Sequence, residues 1–125
     1  MIDVGKHVAY WRAGAEEDWA VGEELLERRP RHALLMLHLA LEKALKAHVC
    51  RQTGEIPPKI HNLMRLAEIA ALALCDEQRE VLAEMNEFQL QGRYPDMWGP
   101  TPSKAEAREQ RNRAYEVFEW LMNLS

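Results

Sequence analysis

The sequence predicts an all-α fold, an antiparallel bundle of about five helices with a four-helix up-and-down core and one helix added to it. Three observations carry that expectation. The run from His32 to Cys50, HALLMLHLALEKALKAHVC, holds neither glycine nor proline and is apolar on most of its sides. A helix of that kind must be covered on most sides, so it belongs at the centre. Capping residues, glycines and prolines divide the rest of the chain into segments with helical period, and no stretch alternates as a half-buried strand does. With 125 residues, 47% of them hydrophobic and 29% charged, the chain suits one folded domain over 1–125 that needs no metal or disulfide to hold it.

Each element has a local reason. Asp3 is placed to cap a first helix from Val4 to about Arg28, with Val8, Trp11, Ala15, Trp19, Leu25 and Leu26 tracing its inner stripe. Gly5, Gly14 and Gly22 weaken it, each by up to about 1 kcal/mol relative to Ala, so packing must supply the remainder and a small residue in the stripe permits close helix approach. Pro30 suits the first turn of the central helix, which runs to about Thr53 and stops at Gly54. Pro57 and Pro58 stiffen the following loop. His61 and Asn62 open a third helix whose inner face is Leu63, Leu66, Ala67, Ala70 and Leu74. Asp76 is expected to cap a fourth, from Glu77 to about Leu90, with Val81, Leu82, Met85 and Phe88 inward and Gly92 at its end. The segment from Arg93 to Pro102, with three prolines and two aromatics, reads as a loop. Ser103 with Glu106 forms a capping-box pattern for a last helix to about Asn123, its inner face Ala107, Ala114, Val117, Phe118 and Leu121.

The net charge of −4 gives no domain-wide positive field for nucleic acid, so any RNA contact must be local. Cys50 and Cys75 lack CxxC spacing and read as buried small hydrophobes in a reducing compartment. The N-terminal residues lack the apolar run of a signal peptide and no apolar segment is long enough to span a bilayer, so a cytoplasmic location and no membrane partner are expected.

Phosphate loops, dinucleotide-binding glycine patterns, HExxH and GxSxG are all missing, and the five histidines fall at no metal-ligand spacing, so neither a metal nor a cofactor is expected. The candidate chemistry lies elsewhere. Glu42 sits in a helix with little room for solvent, where a carboxylate needs a cation or several donors. Arg12 and Arg93 are the candidate partners. Lys43 and Lys46 lie beside it, and His38 stands four residues before it, at hydrogen-bonding spacing. Such a group is either an ion pair that orients the bundle or part of a ligand site in which Arg93 grips phosphate, Tyr94 and Trp98 stack on a base, and Asp96 accepts from a ribose or an exocyclic amine. The aromatics equally suit a loop folded back on the bundle or a dimer contact.

Taken together, WRAGAEED from Trp11 to Asp18, ALEKALKA from Ala40 to Ala47, Pro57-Pro58 followed by His61-Asn62-Leu63 and Leu66, and Arg93-Tyr94-Pro95-Asp96 before the last helix resemble the HEPN domain. The similarity spans almost the whole chain in order. It implies a bundle of about five helices, commonly a homodimer, often paired with a minimal nucleotidyltransferase in a toxin–antitoxin arrangement. Joined to the residue chemistry above, it gives the expectation of a nucleotide- or RNA-binding module with Arg93, Tyr94, Asp96, Glu42, Lys43 and Lys46 at the ligand. Many members of that family are metal-independent ribonucleases using Arg, four to six residues, then His. Arg93 fits the arginine, but Trp98, Gly99 and Pro100 occupy the histidine positions. A weak ribonuclease would have to use His61 with Arg93 instead, and a homodimer serving protein interaction alone is the third reading.

Overall fold

In the computed structural model, residues 2–89 and 101–124 are described. Five α-helices span them: α1 (Val4–Leu25), α2 (Pro30–Thr53), α3 (Leu63–Ile69), α4 (Asp76–Met85) and α5 (Lys104–Asn123), with a 3-10 turn at Asn86–Phe88 and no strand among the described residues. The all-α bundle expected from the sequence is the fold observed.

The long α2 is the hub. Leu34, Leu37, Leu41 and Leu45 are fully buried, as is His38. α1 runs antiparallel to it: Gly22 meets Leu37 and Ala33, Gly14 meets Lys43, and Val8 packs with Ala47 and Cys50. A Cβ added at Gly22 would lie 2.9 Å from Leu37 Cγ and 3.2 Å from the Ala33 carbonyl oxygen. The close approach that a small residue in this stripe permits is therefore located at Gly22. α5 is antiparallel to α1, as four contacts along its length show. Arg108 forks onto Glu27 at 2.6 and 3.0 Å, Arg111 pairs with Glu23, Phe118 stacks on Trp19 at 4.5 Å, and Arg12 Nη2 donates to the Met122 carbonyl at 2.8 Å. α4 runs antiparallel to α5, with Glu84 accepting from Gln110 and Arg113. Thus α1, α2, α4 and α5 alternate in direction around the core, and the short α3 is the added helix.

Caps and boundaries follow local chemistry, with some departures. Asp3 caps α1 through Lys6 N at 3.1 Å, Gly54 closes α2 at φ 70, and Ser103 with Glu106 makes the reciprocal capping box of α5. α1 stops at Leu25 rather than Arg28. Arg29, held extended before Pro30, turns back so that its N–H reaches the Leu25 carbonyl at 2.8 Å. α3 ends at Ile69, short of Leu74. Ala71 adopts φ 55, and paired bonds from Ala71 N to Glu68 O and from Leu72 N to Ala67 O close the helix in a Schellman turn without glycine. α4 begins at Asp76 with Cys75 as its cap residue, and its regular turns end at Met85, not Leu90. Cys75 is exposed, which corrects its reading as a buried hydrophobe; Cys50 is buried as expected.

Candidate functional site

Four polar side chains on α2 are buried, His38, Glu42, Lys46 and His48, and the first three repeat every four residues along one stripe. Glu42 is only 5% exposed. Its Oε2 accepts from Lys46 Nζ at 3.0 Å, and its Oε1 accepts from His61 Nδ1 at 2.9 Å. His38 Nε2 stands 3.5 Å from the same Oε1, too long for a good hydrogen bond. Burial alone would push the Glu42 carboxyl up. The facing His38, His61 and Lys46 groups outweigh it and hold the carboxyl at about 2, so the carboxylate is charged.

Glu42 has these partners among the described residues, which do not include Arg93. Arg12 is not one of these partners, because its guanidinium is drawn to the Met122 carbonyl at the end of α5. Near the same end, His48 Nε2 donates to the Leu121 carbonyl at 2.7 Å. Burial lowers the proton affinity of His48, the Leu121 carbonyl works against that, and the charges of Arg51 and Arg12 add to the lowering. Both residues thus satisfy carbonyls that the last turn of α5 leaves without intrahelical donors. Neither sign of a role at a helix end was visible in the sequence.

Backbone geometry fixes the histidines around Glu42. A carbonyl oxygen can only accept, so His38 Nδ1, 2.9 Å from Met85 O, carries a proton. His38 thereby ties the end of α4 to α2. His61 enters from the residues just before α3, where Asn62 caps that helix through Arg65 N. Asn86 completes the junction, its Oδ1 accepting from Leu63 N at 2.8 Å and its Nδ2 donating to Asn62 Oδ1 at 3.2 Å. The His61 side chain is 32% exposed, whereas Lys46 is nearly as buried as Glu42, and Lys46 Nζ lies 5.4 Å from the centroid of the Trp11 ring. His61 is therefore the member of this cluster that reaches the surface.

Of the ligand residues expected from the sequence, Glu42 and Lys46 meet, and the candidate catalytic His61 joins them. Lys43 points to α1, where its Nζ lies 2.7 Å from Asp18 Oδ2. Arg93, Tyr94, Asp96 and Trp98 lie outside the described residues. The His61–Glu42 bond joins residues 19 apart in sequence, and the signal for it was only the histidine at the start of α3. Among the described residues, no group of three or more His, Cys, Asp or Glu side chains is arranged to hold a metal ion, and no helix is long and apolar enough to cross a membrane.

Comparison with known proteins adds two findings. The family model described as HEPN domain matches residues 8–124. Among solved structures, the chain is similar to the crystal structure of ST0689, described as an archaeal HEPN homologue. That likeness has a TM-score of 0.70 and 21% sequence identity, covering 91% of this chain and 93% of the other. At that identity it carries the fold alone. No curated protein matches the chain.

Proposed function

Because the chain belongs to the HEPN domain family, we propose that it is a nucleotide- or RNA-binding helical module whose ligand lies against the His61 end of the Glu42 stripe. The observation that supports this reading most is a charged carboxylate, buried in the central helix, whose hydrogen-bonded partner His61 opens to the surface. Arg93, Tyr94 and Asp96 supply phosphate, base and ribose contacts in this reading, and Glu42, Lys43 and Lys46 complete the set of ligand residues. The module acts in the cytoplasm as a homodimer and works with a minimal nucleotidyltransferase as a toxin–antitoxin pair. Thermal unfolding with a panel of nucleotides and a short RNA tests the binding. Ligand at about 100 times its Kd is expected to stabilise the wild type by about 2.7 kcal/mol, and Arg93→Ala to remove that gain. An equal gain in Arg93→Ala would remove Arg93 from the site, and no gain with any ligand would remove the reading.

One contact favours a second reading, a weak metal-independent ribonuclease using Arg93 and His61. A carboxylate on Nδ1 leaves the other ring nitrogen of His61 in position to take a proton from a ribose hydroxyl. On this reading His61→Ala abolishes cleavage of a short RNA by the purified protein. Cleavage that survives the substitution would exclude His61 as its base.

A further inference from the structure

The cations nearest Glu42 are already committed. Lys46 Nζ lies 3.0 Å from Glu42 Oε2 under the Trp11 ring, and Lys43 Nζ lies 2.7 Å from Asp18 Oδ2. Each positive charge therefore has a carboxylate beside it. A phosphate brought to this stripe would have to compete with those carboxylates and would approach the buried charge of Glu42 itself. What the cluster turns outward is the ring of His61. Its Nδ1 is 2.9 Å from a carboxylate oxygen that can only accept, so the proton sits on Nδ1. In the neutral ring Nε2 then holds a lone pair, and it has no hydrogen-bond partner among the described residues.

We infer that Glu42 is a positioning residue that fixes the proton of His61 on Nδ1, so that Nε2 meets the ligand as an acceptor, and that the ligand group met there is a hydroxyl or amino donor and not a phosphate oxygen. This rests on the nucleotide-binding reading above and adds the ligand chemistry at one contact. His38 supports the arrangement from inside. Fully buried and bonded to Met85 O, it is fixed with its Nε2 3.5 Å from the Glu42 oxygen that His61 also meets. The phosphate of a bound nucleotide then lies away from the Glu42 stripe, with the ribose or base edge against His61.

Two readouts test the inference. Long-range proton–nitrogen NMR reads the His61 ring directly, and a neutral ring with its proton on Nδ1 and a bare Nε2 is expected when ligand is bound. A proton on Nε2, whether Nδ1 is bare or protonated as well, would overturn the inference whatever binds. Binding is then measured for adenosine 5′-monophosphate, its 2′,3′-dideoxy form, inosine 5′-monophosphate and inorganic phosphate. Loss of the one donor that faces His61 is expected to weaken binding about tenfold. A loss in the dideoxy form assigns a ribose hydroxyl; a loss in the inosine form assigns the base amine. In His61→Phe that difference disappears, while Glu42→Gln, which can offer an amide donor to the ring, mixes the two ring forms. Inorganic phosphate that shifts the His61 resonances as strongly as the nucleotides would overturn the inference and leave nucleotide binding standing. Equal affinity for all three nucleotides would do the same. If none of the nucleotides binds, the reading on which the inference rests fails together with its ligand half, and the ring form still reports whether Glu42 positions His61.

Discussion

Replacing Glu42 with alanine is expected to lower the unfolding free energy by about 3–5 kcal/mol in urea denaturation, the range for removing one partner from a buried charge cluster. The substitution leaves Lys46 buried with its charge uncompensated and strips His61 Nδ1 of its acceptor. It also opens a cavity against the fully buried His38. The pH dependence provides an independent check. The Glu42 carboxyl is lowered from 4.5 to about 2 in the folded protein. The unfolded chain thus binds the proton more tightly, and the resulting stability is present in full above about 4.5 and lost as pH falls toward about 2. A shift of that size corresponds to about 3 kcal/mol. Wild type should lose this increment between those pH values, whereas Glu42→Ala should lack this part of the acid dependence. A Glu42→Ala protein as stable as wild type, with the same acid limb, would show that the carboxylate has no favourable partners.

A second large effect is expected where α1 crosses α2. Leu37→Ala removes a fully buried side chain at the hub and should cost about 3–5 kcal/mol. Gly22→Ala should gain up to about 1 kcal/mol of helix propensity, but its Cβ meets Leu37 Cγ at 2.9 Å and the Ala33 carbonyl at 3.2 Å. Leu37 is packed on all sides and Ala33 O is backbone, so neither gives way cheaply. Overpacking of this kind costs about 1–3 kcal/mol, and a net loss is expected. In the double variant the Leu37 side chain is gone and the new methyl partly fills its space. Gly22→Ala should then be neutral or stabilising, a coupling of about 1–3 kcal/mol in a double-mutant cycle. Strict additivity of the two losses would contradict the close approach at Gly22.

What was legible in the sequence and what was not have physical causes. α2 was plain because an apolar run without breakers has no other stable home, and Gly54, Asp3 and the Ser103–Glu106 pair act within three or four residues of the backbone groups they satisfy. The end of α3 was hidden because its left-handed turn is made by Ala71, where glycine is the usual signal. The end of α4 depends on contacts distant in sequence. His38 draws the Met85 carbonyl, and the Asn86 side chain is held by Asn62 and Leu63. For the site, the four-residue spacing of His38 and Glu42 was legible on a buried helix, and the need of Glu42 for donors followed from burial. The identity of those donors did not follow. Arginine was the obvious choice by charge, yet Arg12 is placed by the antiparallel packing of α1 and α5 at the last carbonyls of α5. The loop after Gly54 returns His61 beside Glu42, a result of chain path and not of any local pattern.

The most direct measurement of ligand placement is the backbone and side-chain chemical-shift map of the labelled protein during titration with adenosine 5′-monophosphate. Saturable shifts at His61, at Glu42 and across residues 93–96 are the expected result. Saturable shifts confined elsewhere, for example to the shallow groove lined by Val4, Val8, Arg12 and Arg51, or none at any concentration, would contradict a nucleotide site at the His61 end of the Glu42 stripe.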